Sequence, residues 1–312
     1  MYSKNSFPKL KNKAILSPMA GITDVAFRTL AKKYGAALTY TEFVSSAGIV
    51  RNNKNTLNMV VTDKIEKPVA VQLFGNNIKE IIESAKILEN KFDIIDVNCG
   101  CPAWKVIKTG AGSAMLNNIH KISKFINKLS SSVNKPVTLK IRTGINEKNI
   151  NAVEVAKAAE DSGAAAIAIH GRTQKQGYSG YSDWDIIKKV KESVNIPVIG
   201  NGDVFSPEIF KKRLKESNVD YIMIARAAIS NPFIFKQIND YLKFGNYEKE
   251  NKIKLFFEYI NLAEKYNLQF NLIKNHAINF TKGLKNSSRF REKLSKCKNI
   301  NELKKLISNN QV

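Results

Sequence analysis

A thiol, a carboxamide and two ammonium groups follow one short apolar stretch near the middle of the chain. Residues 94–98 predict a buried strand that ends at Asn98 and opens into a loop carrying Cys101, Lys105 and Lys108. A free thiol has a pKa near ~8.5, is mostly protonated at neutral pH and can therefore donate a proton. We predict that this loop belongs to a functional site.

Cysteine content and hydropathy argue against a secreted disulfide-rich protein and against a membrane-spanning one. The three cysteines are Cys99, Cys101 and Cys297, and this odd number with one close pair does not predict a secreted disulfide framework. Cys-x-Cys does not match the usual zinc spacing, so no metal site is expected. No apolar run approaches the ~20 residues of a membrane span, and the first residues lack the apolar core of a signal peptide. We expect a reduced, cytoplasmic, monomeric protein.

Eight short apolar stretches alternate with amphipathic helical segments. They predict strands at residues 14–17, 38–42, 69–74, 94–98, 137–141, 166–170, 197–200 and 221–225. Alternation of strand and helix predicts a parallel sheet, and eight repeats are the number in a TIM (β/α)8 barrel. An open doubly wound sheet is the alternative. Polar residues at nearly every strand end favour the closed barrel, whose active site lies at those ends.

Polar residues at the strand ends predict a phosphorylated cofactor or substrate in the barrel mouth. They are Gln72 in the third strand, Lys140 and Arg142 in or after the fifth, His170 and Arg172 after the sixth, Asn201, Gly202 and Asp203 after the seventh, and Arg226 after the eighth. In this fold the loops after strands seven and eight usually bind phosphate through backbone N–H groups. An arginine there can pair with phosphate in a fork.

Charge and periodicity set the last 72 residues apart. Residues 241–312 show only helical periodicity, which predicts a barrel domain at 1–240 followed by a small all-α bundle at 241–312. The net charge of the whole chain is +23, and the tail alone holds 15 Lys and Arg against 6 Glu and no Asp. This excess serves either solubility or the binding of a polyanion, because clustered cations release counterions from nucleic acid. A solvated basic face is one interpretation of the tail, and a nucleic-acid contact surface is the functional one.

The chain resembles the tRNA-dihydrouridine synthase family over nearly its whole length. The resemblance is carried by PMAGITD at 18–24, VQLFG at 71–75, DVNCGCP at 96–102, LKIRTG at 139–144, IHGRT at 169–173, IGNGDV at 199–204 and Arg226. It implies a barrel with a helical domain that reduces the 5,6 double bond of uridine in tRNA, using FMN and NADPH or NADH. One departure is Ala225, where the family usually has glycine before the arginine.

The resemblance also implies a role for each matched residue. Pro18, Met19 and Ala20 would hold FMN through the backbone, Gln72 would bond the ring edge, Lys140 and His170 would contact the flavin, and Asn201, Gly202, Asp203, Ala225 and Arg226 would cradle its phosphate. Cys101 would be the proton donor. Asn98 would contact the uracil. Apart from the resemblance, loop position predicts contacts to the flipped-out uridine from Lys105, Arg142, Arg172 and Tyr178, and the charge of the tail predicts phosphate contacts from Lys274, His276, Lys282, Lys285, Arg289 and Arg291.

Two other functions fit parts of the pattern. A flavin barrel acting on a free pyrimidine, such as a dihydroorotate dehydrogenase, would not need the basic tail. A non-catalytic RNA-binding protein would not need Cys101, Lys140 and His170. Bound flavin and activity on tRNA separate the three cases.

Overall fold

The computed structural model describes residues 6–282 and 287–309, and its strands form a barrel. The strands are β1 Ala14–Leu16, β2 Thr39–Ser45, β3 Val69–Phe74, β4 Ile94–Cys99, β5 Val137–Arg142, β6 Gly144–Asn146, β7 Asn149–Ile150, β8 Ala166–His170, β9 Val198–Asn201 and β10 Tyr221–Ile224. Eight of them pair in parallel in the order β1-β10-β9-β8-β5-β4-β3-β2. Backbone bonds from Leu16 N to Leu38 O (2.9 Å) and from Ala37 N to Ala14 O (2.8 Å) join the two outer strands and close the ring. The predicted TIM barrel is confirmed.

Helices cover the outside of the barrel and make up the C-terminal region. They are α1 Val25–Lys33, α2 Ser46–Val50, α3 Lys54–Asn58, α4 Ile78–Leu88, α5 Trp104–Ile107, α6 Ile119–Ser130, α7 Ala152–Asp161, α8 Trp184–Ser193, α9 Pro207–Ser217, α10 Arg226–Ile229, α11 Ile234–Phe244, α12 Lys252–Lys265, α13 Phe270–Phe280, α14 Ser287–Lys296 and α15 Ile300–Ser308. Short 3-10 helices lie at Lys64–Glu66 and Gly112–Asn117. Side-chain caps from Asp24, Asn118, Asp183 and Ser206 start four of the barrel helices where the sequence turns amphipathic.

The strand predictions hold for all eight barrel strands: two match at both ends, and the other six have ends shifted by one to three residues. The β6–β7 hairpin after the fifth barrel strand was not predicted; it is only five residues of strand, too short for a periodic signal. The helical C-terminal region is confirmed. Helix α11 runs through residue 240, and the next break in the helices lies at residues 245–251, so the domain boundary at 240 stays a prediction.

The tail packs against the barrel through aromatic side chains. Helix α12 lies along α1, and Tyr259 and His276 of the tail contact Phe27 of the barrel with ring centroids 6.5 Å and 5.0 Å apart. Phe27 and Tyr259 belong to the apolar cluster that packs the barrel strands against the surrounding helices. Within the described residues, the structure contains no helix with the length and apolar character needed to cross a bilayer.

Candidate active site

A cavity of about 320 Å3 opens at the carboxyl ends of the barrel strands. Its lining includes Pro18, Met19, Ala20, Gln72, Asn98, Cys101, Lys140, Arg142, His170, Tyr178, Asn201, Gly202, Asp203, Ala225 and Arg226. This volume lies at the lower end of the range of about 300–1,000 Å3 seen for small-molecule sites. The structure therefore brings together, in one concave site, all but two of the catalytic, cofactor and substrate residues named from the sequence; Lys105 and Arg172 are outside its lining.

Asn98 holds the loop that carries the thiol. Its Oδ1 accepts the N–H groups of Gly100 (3.2 Å) and Cys101 (2.9 Å), while the carbonyl of Cys101 accepts the N–H of Ser113 (3.1 Å) and its hydroxyl (2.9 Å). Cys101 is thus fixed at its amide and at its carbonyl, with the side chain at the cavity. Cys99, the other member of the pair, is buried against Met115, and burial raises the pKa of its thiol.

A buried carboxylate beneath the cavity orients the carboxamides. In strand register, Gln72 lies beside Asp96 and Asp96 beside Thr138, so three neighbouring strands bring these side chains together. Gln72 Nε2 donates to Asp96 Oδ2 (2.7 Å), and Asn98 Nδ2 donates to Gln72 Oε1 (2.8 Å). Burial raises the pKa of Asp96 to about 6, although the bonds from Thr138 and Gln72 oppose the shift. An ionised Asp96 accepts only, and this fixes which way both amides point.

Two basic side chains lie in the middle of the cavity. Lys140 Nζ donates to Asn201 Oδ1 (3.3 Å), and Asn201 Nδ2 donates to Met223 O (3.0 Å). Burial lowers the pKa of Lys140 to about 8, so its ammonium is still largely charged at pH 7. Burial, together with the cations Lys140, Arg142, Arg172 and Arg226, lowers the pKa of His170 to about 2. His170 is therefore neutral and cannot serve as the acid at neutral pH.

Asp203 organises the end of the cavity that the loops after β9 and β10 form. Its carboxylate accepts two bonds from Arg172 (3.0 and 2.8 Å), one from Arg226 (2.7 Å) and one from the N–H of Ser182 (2.8 Å). Burial opposes ionisation, but the Arg172 bonds prevail and hold the pKa of Asp203 below its usual range. The neighbouring Gly202 has a φ of +134°, and a Cβ there would lie 2.0 Å from Ser182 Oγ, so only glycine fits.

Arg172 corrects one of the predictions. The sequence places it on a loop that would receive the uridine, but its side chain is 2% exposed and lies outside the cavity lining. Its guanidinium donates to Asp203, to Ser182 Oγ (2.8 Å) and to the carbonyls of Ser179 (3.0 Å) and Gly180 (2.6 Å). A guanidinium so enclosed cannot reach a nucleic acid. It holds the wall of the site instead.

Arg142 and the turn after β1 also form hydrogen bonds within the protein. Arg142 donates to the carbonyls of Gly100 (2.9 Å), Thr173 (2.7 Å) and Gly177 (3.0 Å), and it still lines the cavity. In the turn after β1, the N–H of Met19 donates to Thr23 Oγ1 (3.1 Å). Among the described residues none accepts the N–H of Ala20, which leaves that group for a ligand.

Exposed aromatic and basic residues surround the cavity mouth. Tyr178 is 68% exposed, its ring lies 6.4 Å from that of His170, and Arg226 lies 5.2 Å above it. The ring of Phe205 also lies 5.2 Å from the Arg226 guanidinium. Lys105 is exposed on the short helix α5. Flat side chains and cations at a rim are the groups that stack and steer single-stranded nucleic acid.

Two of the basic tail residues that were predicted to contact phosphate bond to other groups of the protein. His276 is 0% exposed and its Nε2 lies 3.0 Å from Asp24 Oδ2, so the prediction that it contacts phosphate is wrong. Lys274 Nζ donates to the carbonyls of Ser295 (3.2 Å) and Cys297 (3.3 Å) near the end of α14. Lys282 and Arg289 are exposed and Arg291 is half-buried, while Lys285 lies outside the described residues.

Comparison with known proteins identifies the family. The family model described as Dihydrouridine synthase (Dus) matches residues 15–311. The chain belongs to the dihydrouridine synthase family. The "tRNA-dihydrouridine synthase B" of Pseudomonas putida is 41% identical over 239 residues, which cover 76% of this chain and 71% of that protein. A "Probable tRNA-dihydrouridine synthase" of Rickettsia conorii is 37% identical over 292 residues, 91% of this chain and 88% of that protein.

Solved structures support the barrel independently. Histamine dehydrogenase from Rhizobium sp. 4-9 superposes with a TM-score of 0.58 at 14% identity, over 81% of this chain and 49% of that chain. The structure titled "TcOYE with pHBA" gives a TM-score of 0.57 at 14% identity, over 85% of this chain and 96% of that chain. At this identity the likeness bears on the fold alone.

Membership in the dihydrouridine synthase family confirms the predicted class, a flavin-dependent oxidoreductase. The departure at Ala225 is compatible with the backbone, because its φ of −112° lies outside the left-handed region that favours glycine.

Sequence reasoning missed Asp96, although a lone carboxylate inside an apolar strand was the available signal. It also missed Phe205, which follows the seventh barrel strand and packs on Arg226.

Proposed function

We propose that this protein is a tRNA-dihydrouridine synthase that reduces the C5=C6 bond of uridines in tRNA, with FMN as hydride carrier, NADPH or NADH as reductant and Cys101 as proton donor. The observation that carries the proposal is the single cavity shared by Cys101, Lys140, His170 and the loop ends of β9 and β10. Family membership supports the reaction. The acting form is expected to be a cytoplasmic monomer, with no metal required.

The donor set of the cavity suits FMN. One end offers the Arg226 guanidinium for a phosphate, and the centre offers Lys140 and neutral His170 for the carbonyl and nitrogen edge of a ring. Gln72 keeps one amide hydrogen and one lone pair free after its bonds to Asp96 and Asn98. The N–H of Ala20 adds a main-chain donor at the first turn. These groups would hold the cofactor by its two polar ends.

Bound FMN would supply the hydride chemistry, accepting a hydride from NAD(P)H and delivering one to C6 of the uracil. Cys101 would give its thiol proton to C5, and solvent would return a proton to the sulfur, so that atoms and electrons balance. Asn98 fixes the loop that presents the thiol. Cys101 is the thiol of the cavity wall and the residue that the family resemblance implies for this step, whereas the pKa of His170, lowered to about 2 by burial and neighbouring cations, leaves that imidazole without a proton to give at pH 7.

The tRNA would meet a basic, aromatic rim. Lys105, Arg142 and Tyr178 remain proposed contacts to the uridine and its neighbours, and the exposed cations of the tail remain proposed phosphate contacts. With a net charge of +23, binding should weaken steeply as salt is raised, because the interaction releases counterions.

The test compares Cys101→Ala with Cys297→Ala, which removes a thiol on the tail. Purified proteins are incubated with unmodified tRNA and NADPH, and dihydrouridine is quantified; flavin reduction by NADPH without tRNA is followed by absorbance. Cys101→Ala should lower the rate of dihydrouridine formation by about 10²–10⁴-fold and leave flavin reduction unchanged. Cys297→Ala should behave as the unaltered protein. An unaltered protein that takes up no FMN, or that leaves tRNA unreduced, refutes the proposal.

A further inference from the structure

The turn that forms one wall of the cavity is held from two sides. Gly21, within the cavity-lining segment that follows β1, donates its N–H to Glu42 Oε2 on β2 (2.5 Å). Its carbonyl accepts Nδ2 of Asn275 on tail helix α13 (2.9 Å). One peptide group of the turn is therefore bonded to the barrel, and the next is bonded to a residue more than 250 positions away in the chain.

Asp24, three residues further on, ties the end of the same turn to the tail. Its Oδ1 accepts the N–H of Phe27 and begins α1 (2.9 Å). Its Oδ2 accepts the hydroxyl of Tyr259 on α12 and Nε2 of His276 on α13, both at 3.0 Å. Burial raises the pKa of Tyr259, so its hydroxyl keeps the proton that it donates. Because a carboxylate only accepts, we assign a hydrogen to Nε2 of His276.

Burial makes these bonds hard to replace by water. Tyr259 and His276 are fully buried, and their rings lie 4.1 Å apart. Without them, a nearly buried carboxylate at the foot of the cavity turn would lose two of its three donors. A buried charge that loses its partners forces the surrounding backbone to rearrange or admit water.

We propose that the helical tail is a working part of the cofactor site: Asn275, Tyr259 and His276 clamp the turn at residues 17–24 in the shape that binds FMN. This inference rests on the proposed function for the identity of the ligand. It assigns the tail a role beyond contact with RNA. The clamp residues touch no cofactor and act only through Gly21 and Asp24.

Two conservative variants and two matched controls test the clamp in the full-length chain. Asn275→Ala removes the bond to Gly21, and Tyr259→Phe removes one bond to Asp24. The control Asn239→Ala removes a similar amide bond, to Gly35 O (3.1 Å), and Tyr266→Phe removes a similar hydroxyl bond, to Asp63 (2.6 Å). Neither Gly35 nor Asp63 lines the cavity.

Two readouts are measured on all five proteins: the Kd for FMN from flavin fluorescence, and hydrogen exchange of the amides of residues 17–24 before FMN is added. Each clamp variant should raise the Kd about 3–10-fold and speed exchange of the turn by a similar factor, the effect of one net hydrogen bond. The controls should match the unaltered protein in both, and tRNA affinity should be the same throughout.

Clamp variants that match the controls in both readouts overturn the inference. Controls that weaken FMN binding as much as the clamp variants also overturn it, because the cause would then be a general loss of stability. If the unaltered protein binds no FMN, the proposed function fails and the cofactor part of the inference fails with it. Hydrogen exchange separates the two failures. Faster exchange of the turn in the clamp variants alone would show that the clamp exists even though FMN does not bind.

Discussion

Replacing Asp203 by asparagine should destabilise the protein far more than the loss of an ordinary surface charge. The carboxylate accepts a two-bond fork from Arg172, which is 2% exposed, and a further bond from Arg226, which is 41% exposed. The amide keeps one acceptor oxygen but turns an NH2 group toward a guanidinium. Arg172 would then be a buried cation with no carboxylate partner, beside a second arginine.

The expected loss follows from that burial. Breaking a buried ion pair by removing one partner costs about 3–5 kcal/mol, and the remaining amide oxygen places Asp203→Asn near about 3 kcal/mol. The matched control is Glu216→Gln, which removes the same charge from an exposed pair with Arg213 (3.3 Å). Exposed pairs contribute about 0–1 kcal/mol, so this variant should differ little from the unaltered protein.

Urea denaturation monitored by circular dichroism measures both free energies of unfolding by linear extrapolation. Because folding lowers the pKa of Asp203, its contribution is complete above the unfolded value of about 4 and is lost as the pH falls through the lower folded pKa. The gap between the unaltered protein and Asp203→Asn should therefore narrow in acid. A loss below about 1 kcal/mol at pH 7, or a loss equal to that of Glu216→Gln, refutes the reasoning.

Asn98→Ala removes the acceptor for the N–H of Cys101 and should lower the rate of tRNA reduction about 10–100-fold, because each lost bond costs about 1 kcal/mol. Flavin reduction by NADPH should change little. An equal loss in both half-reactions would contradict this prediction. Lys140→Met removes a buried ammonium whose pKa burial lowers to about 8. The cost of that charge is present below pH 8 and is relieved toward about pH 10.4, so the stability gained by the variant, measured in urea, should shrink from pH 7 to pH 10; a constant difference would argue against a buried charge.

The barrel and most of its site could be predicted from sequence because both depend on local order. Apolar strands alternate with amphipathic helices eight times, which is the number in a closed (β/α)8 barrel, and the polar strand ends favoured that barrel over an open sheet. Parallel strands place all their carboxyl ends at one rim, so residues at strand ends, such as Cys101, Lys140 and His170, had to converge.

Side-chain partners were decided only by tertiary structure. Arg142 ends β5 and Arg172 lies just after β8, and the two look alike in sequence. Arg142 lines the cavity, whereas Arg172 bonds to Asp203 just after β9. In the sequence His276 is one more basic residue of the tail, but in the structure it is buried and bonded to Asp24, 252 positions earlier. Sequence records which groups exist and how often they recur. Whether a charge faces solvent or a partner depends on the distances between elements, which are set only when the chain packs.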